Sequence, residues 1–473
     1  IVNKIYKKSV AEKDEVQMIK CFFYQSKFLQ VVDENAQTKI LNNLKTDINR
    51  VSIPSKAILN LVYAKCLNDF HKKEPYFSYN RTDTTFQDDN FKTWTDAFLN
   101  SQIINCYKNS LENETILKST PLTDYETIFD YSIINDFKNQ TLYDYVLTEN
   151  INYFSSKIYV GEISKNEFYI YKKDLLGSST DFVNLNFDFI KNTELKNVLI
   201  LYQKLEKTSP TLENQWNRIQ FCKKYMIAYD SNYLSFLTNF QKNTDNQNLI
   251  EKIQLEKALF YAQFASKKSH PDYKIKAVAL LDSILSSNIH SNTYKLALQQ
   301  KAEIQAKYLL VQLQKNSYIG ENTRTLIYYN NINKLKISFY KINQNQLSEL
   351  KSFPYNVDIR SHKILENKKP VVTQDYILPQ KKDYFQYSTE VLLPSLEKGS
   401  YVAFIESDSD TKTQKAFSAD FINITNITVA AKKGASKDLL QTLDRKTGMP
   451  LENITIKLPT QTIKTDKNGL AFA

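Results

Sequence analysis

The first 156 residues repeat their apolar positions at the spacing of an α-helix. Leu59, Tyr63, Cys66 and Phe70 follow one another at steps of four, three and four, which places them on one helix face. The pattern therefore predicts an N-terminal helical region over residues 1–156. Its helices are expected at about 8–31, 36–48, 92–110, 124–134 and 141–154.

Residues 157–192 break this pattern and predict a small irregular or β insert, in which Glu167-Phe168-Tyr169-Ile170-Tyr171 is extended. Helical spacing returns over 193–318, with two apolar stripes joined by a short polar break. Such helix pairs favour a helical-repeat region similar to tetratricopeptide repeats. The first stripe is Ala277, Leu280, Leu281, Ile284 and Leu285, and the second is Leu298, Ala302, Ala306, Leu309 and Leu313.

Near residue 323 the spacing of the apolar residues changes from the helical period to every second position. Leu335, Ile337 and Phe339 alternate with polar neighbours, as in a half-buried strand. Because short strands without intervening helices favour antiparallel sandwiches, one β-sandwich is predicted at 319–425 and the start of a second at 426–473. Asn468-Gly469, between Ile463 and the Leu470–Phe472 strand, predicts a hairpin. Further strands are expected at 387–393, 400–407, 414–430, 438–443, 452–458 and 461–464.

Composition narrows the classes of function. The 473 residues are 42% hydrophobic and 13% aromatic, enough for several packed cores, and only 7 are glycine. The net charge of +11 comes mostly from dispersed lysines, and no recognised nucleic-acid-reading module is present, so nucleic-acid binding is not expected. No apolar run is long enough to span a bilayer as a helix. Because the sequence stops at Ala473 in a strand, we expect the last domain to lack its closing strands.

The candidate chemical residues are isolated from one another. Cys21, Cys66, Cys106 and Cys222 form no C-x-x-C pair, and their scattered positions leave three disulfide connectivities open; buried free thiols are the favoured interpretation. His71, His270, His290 and His362 are too dispersed for a histidine metal site.

Other candidate motifs are equally weak. Ser409-Asp410-Thr411-Lys412 fits S-x-x-K but is followed by no predicted helix, and neither Asp88-Asp89 nor Asp408 with Asp410 has calcium-loop spacing. We therefore expect no catalytic residue, no cofactor and no metal in this chain. The binding surface that the pattern does suggest is the concave face of the helical repeat.

Four segments resemble large bacterial alpha-2-macroglobulin-like proteins, in the order that the family has them. Thr141–Val146 resembles a helix start in their N-terminal helical region, and Asn330–Leu335 resembles the opening strand of their first β-domain. Leu393–Tyr401 is similar to the stretch that ends that domain. Asp444–Leu451, followed by Thr465–Leu470, resembles paired turns of the next macroglobulin domain.

This resemblance implies a protein of the bacterial cell envelope, periplasmic or surface-exposed and associated with the outer membrane. In the family, trapping of proteases uses a C-x-E-Q thioester and a bait segment; none of the four cysteines fits C-x-E-Q, so no functional residue is carried over. The implied role is a non-catalytic N-terminal platform whose partners are target proteases. Two alternatives stay open: a scaffold subunit that docks onto an outer-membrane barrel or secretion complex, and a glycan hydrolase with a carboxylate pair.

Overall fold

A computed structural model describes residues 1–73, 91–129, 140–159, 175–225, 231–287, 291–352, 357–379, 381–408, 415–434 and 437–473. The chain is helical in its N-terminal half and rich in antiparallel strands after residue 307. It divides into two compact units, which we call unit 1, Ile1–Ser231, and unit 2, Asn232–Ala473. The division falls inside the region predicted as one helical repeat, and the other predicted domain boundaries stay predictions.

Unit 1 is built from helices around one apolar core. Its helices are α1 Val2–Glu12, α2 Glu15–Val32, α3 Ala36–Ile48, α4 Ile53–Lys73, α5 Asp96–Asn109, α6 Glu114–Ser119, α7 Leu142–Lys157, α8 Ser179–Phe182, α9 Thr193–Thr208 and α10 Leu212–Lys223, with 3₁₀ turns at Phe91–Thr93 and Leu122–Ile128. The residues buried in this core include leucines from four different helices, Leu59, Leu67, Leu99, Leu147 and Leu199.

The helix α7 begins where the sequence motif places it. Thr141 caps the helix: its Oγ1 accepts from the Asp144 N–H, while the Asp144 carboxylate accepts from the Thr141 N–H at 3.1 Å. The same buried carboxylate accepts from Thr208 Oγ1 at 3.0 Å, which ties α7 to α9. The motif therefore starts a helix and fixes its neighbour at the same time.

The predicted irregular or β insert at 157–192 is described only in part, and its boundaries stay a prediction. The extended segment Glu167–Tyr171 lies outside the described residues. Residues 175–192 contain the helical turn α8 and no described strand, and Leu175, Phe182, Phe187 and Ile190 are buried in the core of unit 1. The described part is a core segment, because its aromatic side chains pack inward.

Unit 2 starts with helices and continues as strands. The helices are α11 Ser231–Lys242, α12 Gln247–Phe264, α13 Tyr273–Leu285, α14 Asn292–Gln305, α15 Gln344–Ser352 and α16 Val357–Leu365. The strands are β1 Tyr308–Gln312, β2 Asn316–Ser317, β3 Arg324–Asn330, β4 Lys334–Ile342, β5 Val372–Ile377, β6 Tyr387–Leu392, β7 Gly399–Ser407, β8 Phe417–Ile424, β9 Ile427–Lys432, β10 Leu439–Asp444, β11 Thr455–Lys457, β12 Thr462–Lys464 and β13 Leu470–Phe472.

A β-sandwich occupies the middle of unit 2. A three-stranded sheet of order β1-β3-β6 packs on a five-stranded sheet of order β2-β8-β7-β4-β5, and all pairs are antiparallel except β2 with β8. Ile327 of one sheet and Leu335, Ile337 and Phe339 of the other share the core, which confirms the alternation read from the sequence. Tyr401 is buried in the same core, and its hydroxyl donates to the Glu397 carbonyl at 3.0 Å.

Two helices that the sequence analysis missed cover the outer face of the five-stranded sheet. Leu347 and Leu350 of α15 pack with Val402 and Phe404 of β7, whereas Ala403 and Ile405 face the sandwich core. Asn343 and Gln346 form a reciprocal cap at the start of α15. The expectation of strands without intervening helices is therefore wrong here, and the Asn-x-x-Gln pair was the available signal.

Three further expectations are wrong in detail. The second stripe of 193–318 fails because α14 ends at Gln305; Leu309 lies on β1, and Leu298 is 54% exposed, whereas α14 buries Ala297 and Ile304. The segment Asn330–Leu335 is not an opening strand, since β1 and β3 precede it. The strand predicted over 414–430 is two strands, β8 and β9, where it is described.

The hairpin predicted at Asn468-Gly469 is also wrong. Gly469 does adopt a left-handed conformation with φ 70°, but β13 pairs with β10 and β12 pairs with β11. The turn thus carries the chain from one small sheet to another, because the Leu470–Phe472 strand completes the β9-β10 sheet.

Candidate functional site

The cysteines are consistent with a structural role. All four are free, and Cys21, Cys106 and Cys222 are buried. Burial raises the pKa of the Cys66 and Cys106 thiols to about 11 and that of Cys222 to about 12. Because the thiolate is the reactive form, these three side chains are protonated at neutral pH and behave as small apolar groups.

The described histidines lie apart from one another. His71 contacts Asp96, His270 stacks on Tyr273 with ring centroids 4.2 Å apart, and His362 sits edge-on against Phe404 and Phe417. His290 lies outside the described residues, as do Asp88-Asp89 and Ser409–Lys412. Within the described ranges, no three His, Cys, Asp or Glu side chains lie close enough together to hold a metal ion.

A buried ion pair is the strongest electrostatic feature of unit 1. Arg218 of α10 and Glu206 of α9 are both fully enclosed, with Nε and Oε1 2.6 Å apart. The Arg218 guanidinium also donates to the carbonyl oxygens of Leu175 and Gly177, and it lies 4.1 Å from the centroid of the Phe182 ring. Every charged atom is thus satisfied, and the pair holds the 175–182 segment against two helices.

A wide apolar groove runs over α1, α2 and α3, and we call it the N-terminal groove. Its volume is about 1130 Å³. Tyr24, Phe28 and Val32 recur every four residues along α2 and are 49%, 56% and 79% exposed, and Ile5 of α1 lines the same groove. A ridge with this spacing is the kind of surface that receives an amphipathic helix.

Polar groups lie at the α3 side of this groove. Tyr6 donates its hydroxyl to Asp47 Oδ1 at 2.6 Å, and the Asp47 side chain is buried. Desolvation, followed by the Asp47 contact, raises the pKa of Tyr6 to about 12, and desolvation also raises the pKa of Asp47. Arg50, exposed at the end of α3, lines the groove beside them.

The segment that lines the N-terminal groove has an excess of basic residues. Residues 1–50 contain nine Lys and Arg against six Asp and Glu, whereas the whole of residues 1–231 contains 29 of each sign. The binding surface predicted from the sequence was a concave repeat face at 193–318, and this groove was not predicted. The available signal was the four-residue spacing of Tyr24, Phe28 and Val32 on α2, a spacing that core stripes share.

No helix within the described ranges is long and apolar enough to cross a membrane.

Comparisons with known proteins give weak structural likenesses and no family. No family model matches the chain. No curated protein matches it either. The chain is similar to a crystal structure of native alpha-2-macroglobulin from Escherichia coli spanning domains NIE-MG1, with 16% identity and a TM-score of 0.27, over 35% of this chain and 86% of that one.

Two further solved structures give TM-scores that are no higher. A structure of the same Escherichia coli protein spanning domains MG0-NIE-MG1 is 15% identical, with a TM-score of 0.27, over 35% of this chain and 57% of that one. The alkylpurine DNA glycosylase AlkC of Pseudomonas fluorescens, bound to DNA containing an abasic site analog, has 9% identity and a TM-score of 0.18, over 79% of this chain and 99% of that one. TM-scores this low carry no argument about function.

Proposed function

We propose that this chain is a non-catalytic, protein-binding platform of an alpha-2-macroglobulin-like protein of the bacterial cell envelope. The observation that carries the binding role is the N-terminal groove, an exposed apolar groove with a volume of about 1130 Å³ on three helices. Large exposed apolar patches on a protein surface are typical of protein interaction sites. The family assignment is supported by the order of the three other sequence motifs, without Asn330–Leu335, and by the helical-then-β architecture.

The occupant that fits the groove is an amphipathic helix of a partner protein with acidic flanks. Its apolar face would lie along the Tyr24, Phe28 and Val32 ridge, because one helix packs its side chains between ridges spaced four residues apart. Its acidic flanks would face the basic residues of segment 1–50, and Arg50 is the basic residue of that segment that lines the groove.

The test is site-specific photo-crosslinking in cells that make the full protein. A benzophenone side chain is placed at Phe28 in the groove and, as a matched control, at Ile359, which is 71% exposed on α16 of unit 2. We expect a strong adduct at Phe28 and none of comparable yield at Ile359. Mass spectrometry of the adduct identifies the partner and the cross-linked segment.

The adduct also separates the two candidate partners. A protease added from outside, cross-linked through an amphipathic helix, supports protease trapping, and a resident outer-membrane barrel or secretion protein supports the scaffold alternative. Equal yields at Phe28 and Ile359, an adduct between two copies of this chain, or an adduct through a segment that is not helical would contradict the proposed use of the groove.

A further inference from the structure

A second cavity of unit 1, separate from the N-terminal groove, lies between α7, α9 and α10, and we call it the polar cleft. Its volume is about 540 Å³. Along α7 it is lined at positions 148, 151, 152, 155 and 156, and along α10 and the residue that follows at positions 217, 220, 221 and 224. Both sets contain the spacing i, i+3, i+4, i+7, so each helix turns one face to the cleft.

The side chains on these two faces are unusually polar for facing helices. Asn152 and Asn217 contribute carboxamides, one from each helix, and Tyr202 and Leu205 of α9 complete the lining. A carboxamide offers a donor and an acceptor side by side, which matches the N–H and C=O of a peptide group. The Tyr202 hydroxyl is already used, since it donates to the Asn217 carbonyl at 3.3 Å.

Two polar atoms of the cleft have no hydrogen-bond partner although solvent does not reach them. They are Ser155 Oγ on α7 and Gln220 Nε2 on α10. Buried polar atoms in folded proteins are nearly always paired, so an unpaired donor on each wall of one cavity indicates a missing acceptor. Gln220 Nε2 can only donate, and the Ser155 hydroxyl can donate as well.

The charge in the cleft identifies that acceptor. Lys224 is the charged residue of the lining, all of which lies in the described part of the chain, and no carboxylate lines the cleft. A ligand carboxylate accepts only, has two oxygens for the two unpaired donors, and forms charge-assisted hydrogen bonds beside an ammonium group. A sugar ring fits less well, because Tyr202 and Phe221 are 6% and 3% exposed and offer no open face for stacking.

We propose that the polar cleft binds an extended peptide segment through an acidic side chain. On binding, the half-buried side chains of Ser155 and Gln220 turn into the cleft, so that the carboxylate accepts from Ser155 Oγ and Gln220 Nε2 near the Lys224 ammonium. The carboxamides of Asn152 and Asn217 pair with the peptide main chain. This goes beyond the proposed function, since it concerns different helices and a different ligand chemistry from the helix-binding groove.

The test measures binding of fluorescent octapeptides to the intact chain by fluorescence anisotropy. One pool has a central Glu with flanks randomised among Ala, Ser, Gly and Asn, and the matched pool has a central Gln. We expect the Glu pool to bind roughly tenfold more tightly, because the Gln pool lacks the charge-assisted bonds. Equal binding of the two pools, or binding of neither, contradicts the proposal.

Variants assign the binding to the cleft. Gln220→Ala and Lys224→Gln should each weaken the Glu pool several-fold, and Lys207→Gln, an exposed lysine of α9 outside the cleft, should leave it unchanged. Because Gln220→Ala removes an unpaired buried donor, we expect no loss of thermal stability, so a binding loss is not a folding loss.

Three results would overturn the assignment to the cleft: equal losses in Lys224→Gln and Lys207→Gln, no loss in Gln220→Ala, or displacement of the peptide by maltotetraose. Phe28→Asp, in the N-terminal groove, should leave peptide binding intact, so that failure of one proposal is distinguishable from failure of the other.

Discussion

The two units of this chain differ in their net charge. Residues 1–231 carry 29 basic and 29 acidic side chains, whereas residues 232–473 carry 33 against 22, so the entire net charge of +11 belongs to unit 2. Unit 1 nevertheless encloses a complete ion pair, Arg218 with Glu206, at 0% side-chain exposure. The Arg324–Glu390 pair of unit 2 is solvated instead, with side chains 77% and 56% exposed.

This difference shows how each unit fixes its geometry. Each helix of unit 1 packs through one apolar stripe, and polar contacts then join one helix to another. Asp144 of α7 bonds to Thr208 of α9, and Glu206 of α9 pairs with Arg218 of α10. The sandwich of unit 2 fixes its strands through ladder hydrogen bonds and alternating side chains, and it needs no buried charge. Unit 1 should therefore be sensitive to polar substitutions at a few positions, and unit 2 to changes in turns and packing.

The largest expected effect is that of Arg218→Met. The substitution leaves the Glu206 carboxylate buried without a partner and the Leu175 and Gly177 carbonyls with fewer donors, so unit 1 should lose about 3–5 kcal/mol. Hydrogen exchange measured peptide by peptide reports unit 1 separately from unit 2. The matched control is Arg324→Met in unit 2, which breaks an exposed ion pair and should lower the free energy of unfolding by at most about 1 kcal/mol.

A double variant distinguishes the buried charge from the lost packing. Arg218→Met combined with Glu206→Leu should recover much of the stability, since no unpaired charge remains. If Arg218→Met costs no more than Arg324→Met, the ion pair does not hold unit 1 together.

Next in size is Gly469→Ala in unit 2. Gly469 has φ 70°, and a Cβ there would meet the Thr442 carbonyl oxygen at 2.4 Å, so we expect a loss of at least about 2 kcal/mol. Gly320 has φ 75° with nothing near its Cβ position, so Gly320→Ala should cost about 1 kcal/mol. Chemical denaturation of unit 2 measures both, and equal costs would rule out the close approach to Thr442.

Helix caps should affect the two units alike. Thr141→Ala at α7 and Asn343→Ala at α15 each remove a side-chain cap, and each should cost about 1 kcal/mol. Thr141→Ser keeps the acceptor and should restore most of the loss in unit 1. A loss at Thr141 well above that at Asn343 would indicate that the Asp144–Thr208 contact depends on the cap.

The smallest expected effect is a pH dependence confined to unit 1. Hydrogen bonds from Lys204 at 2.8 Å and Lys118 at 2.9 Å lower the pKa of Glu114 to about 2, from an ordinary value of 4.5. Because the folded-state pKa is lowered, these bonds stabilise unit 1 above pH 4.5, and the contribution disappears as the pH falls towards 2. Glu114 is 38% exposed, so solvent screening keeps the effect below about 1 kcal/mol.

The measurement is the acid titration of stability in the parent and in Glu114→Gln. The variant should show a shallower decline between pH 4.5 and 2, and an unchanged slope would show that Glu114 does not contribute.

Periodicity determined the general order of helices and strands, because apolar residues repeat about every three to four positions in a helix and every two positions in a strand. Thr141 started a helix and Leu335, Ile337 and Phe339 formed a buried strand face, as their local patterns predict. The pattern failed where a local signal competed with packing. Asn468-Gly469 has hairpin chemistry, but β13 pairs with β10, a choice made by strands distant in sequence.

The sequence by itself determined that this chain is helical first and β-rich afterwards, and that its cysteines and histidines lie scattered along the chain. Only the tertiary structure decided which faces meet. Tyr24, Phe28 and Val32 form a helical stripe like any core stripe, yet they stay exposed in the N-terminal groove. Ser155 and Gln220 are ordinary polar residues until two helices turn them towards one cavity without partners. A local pattern determines which residues share one face of a helix or strand. Only packing between distant elements decides what covers that face.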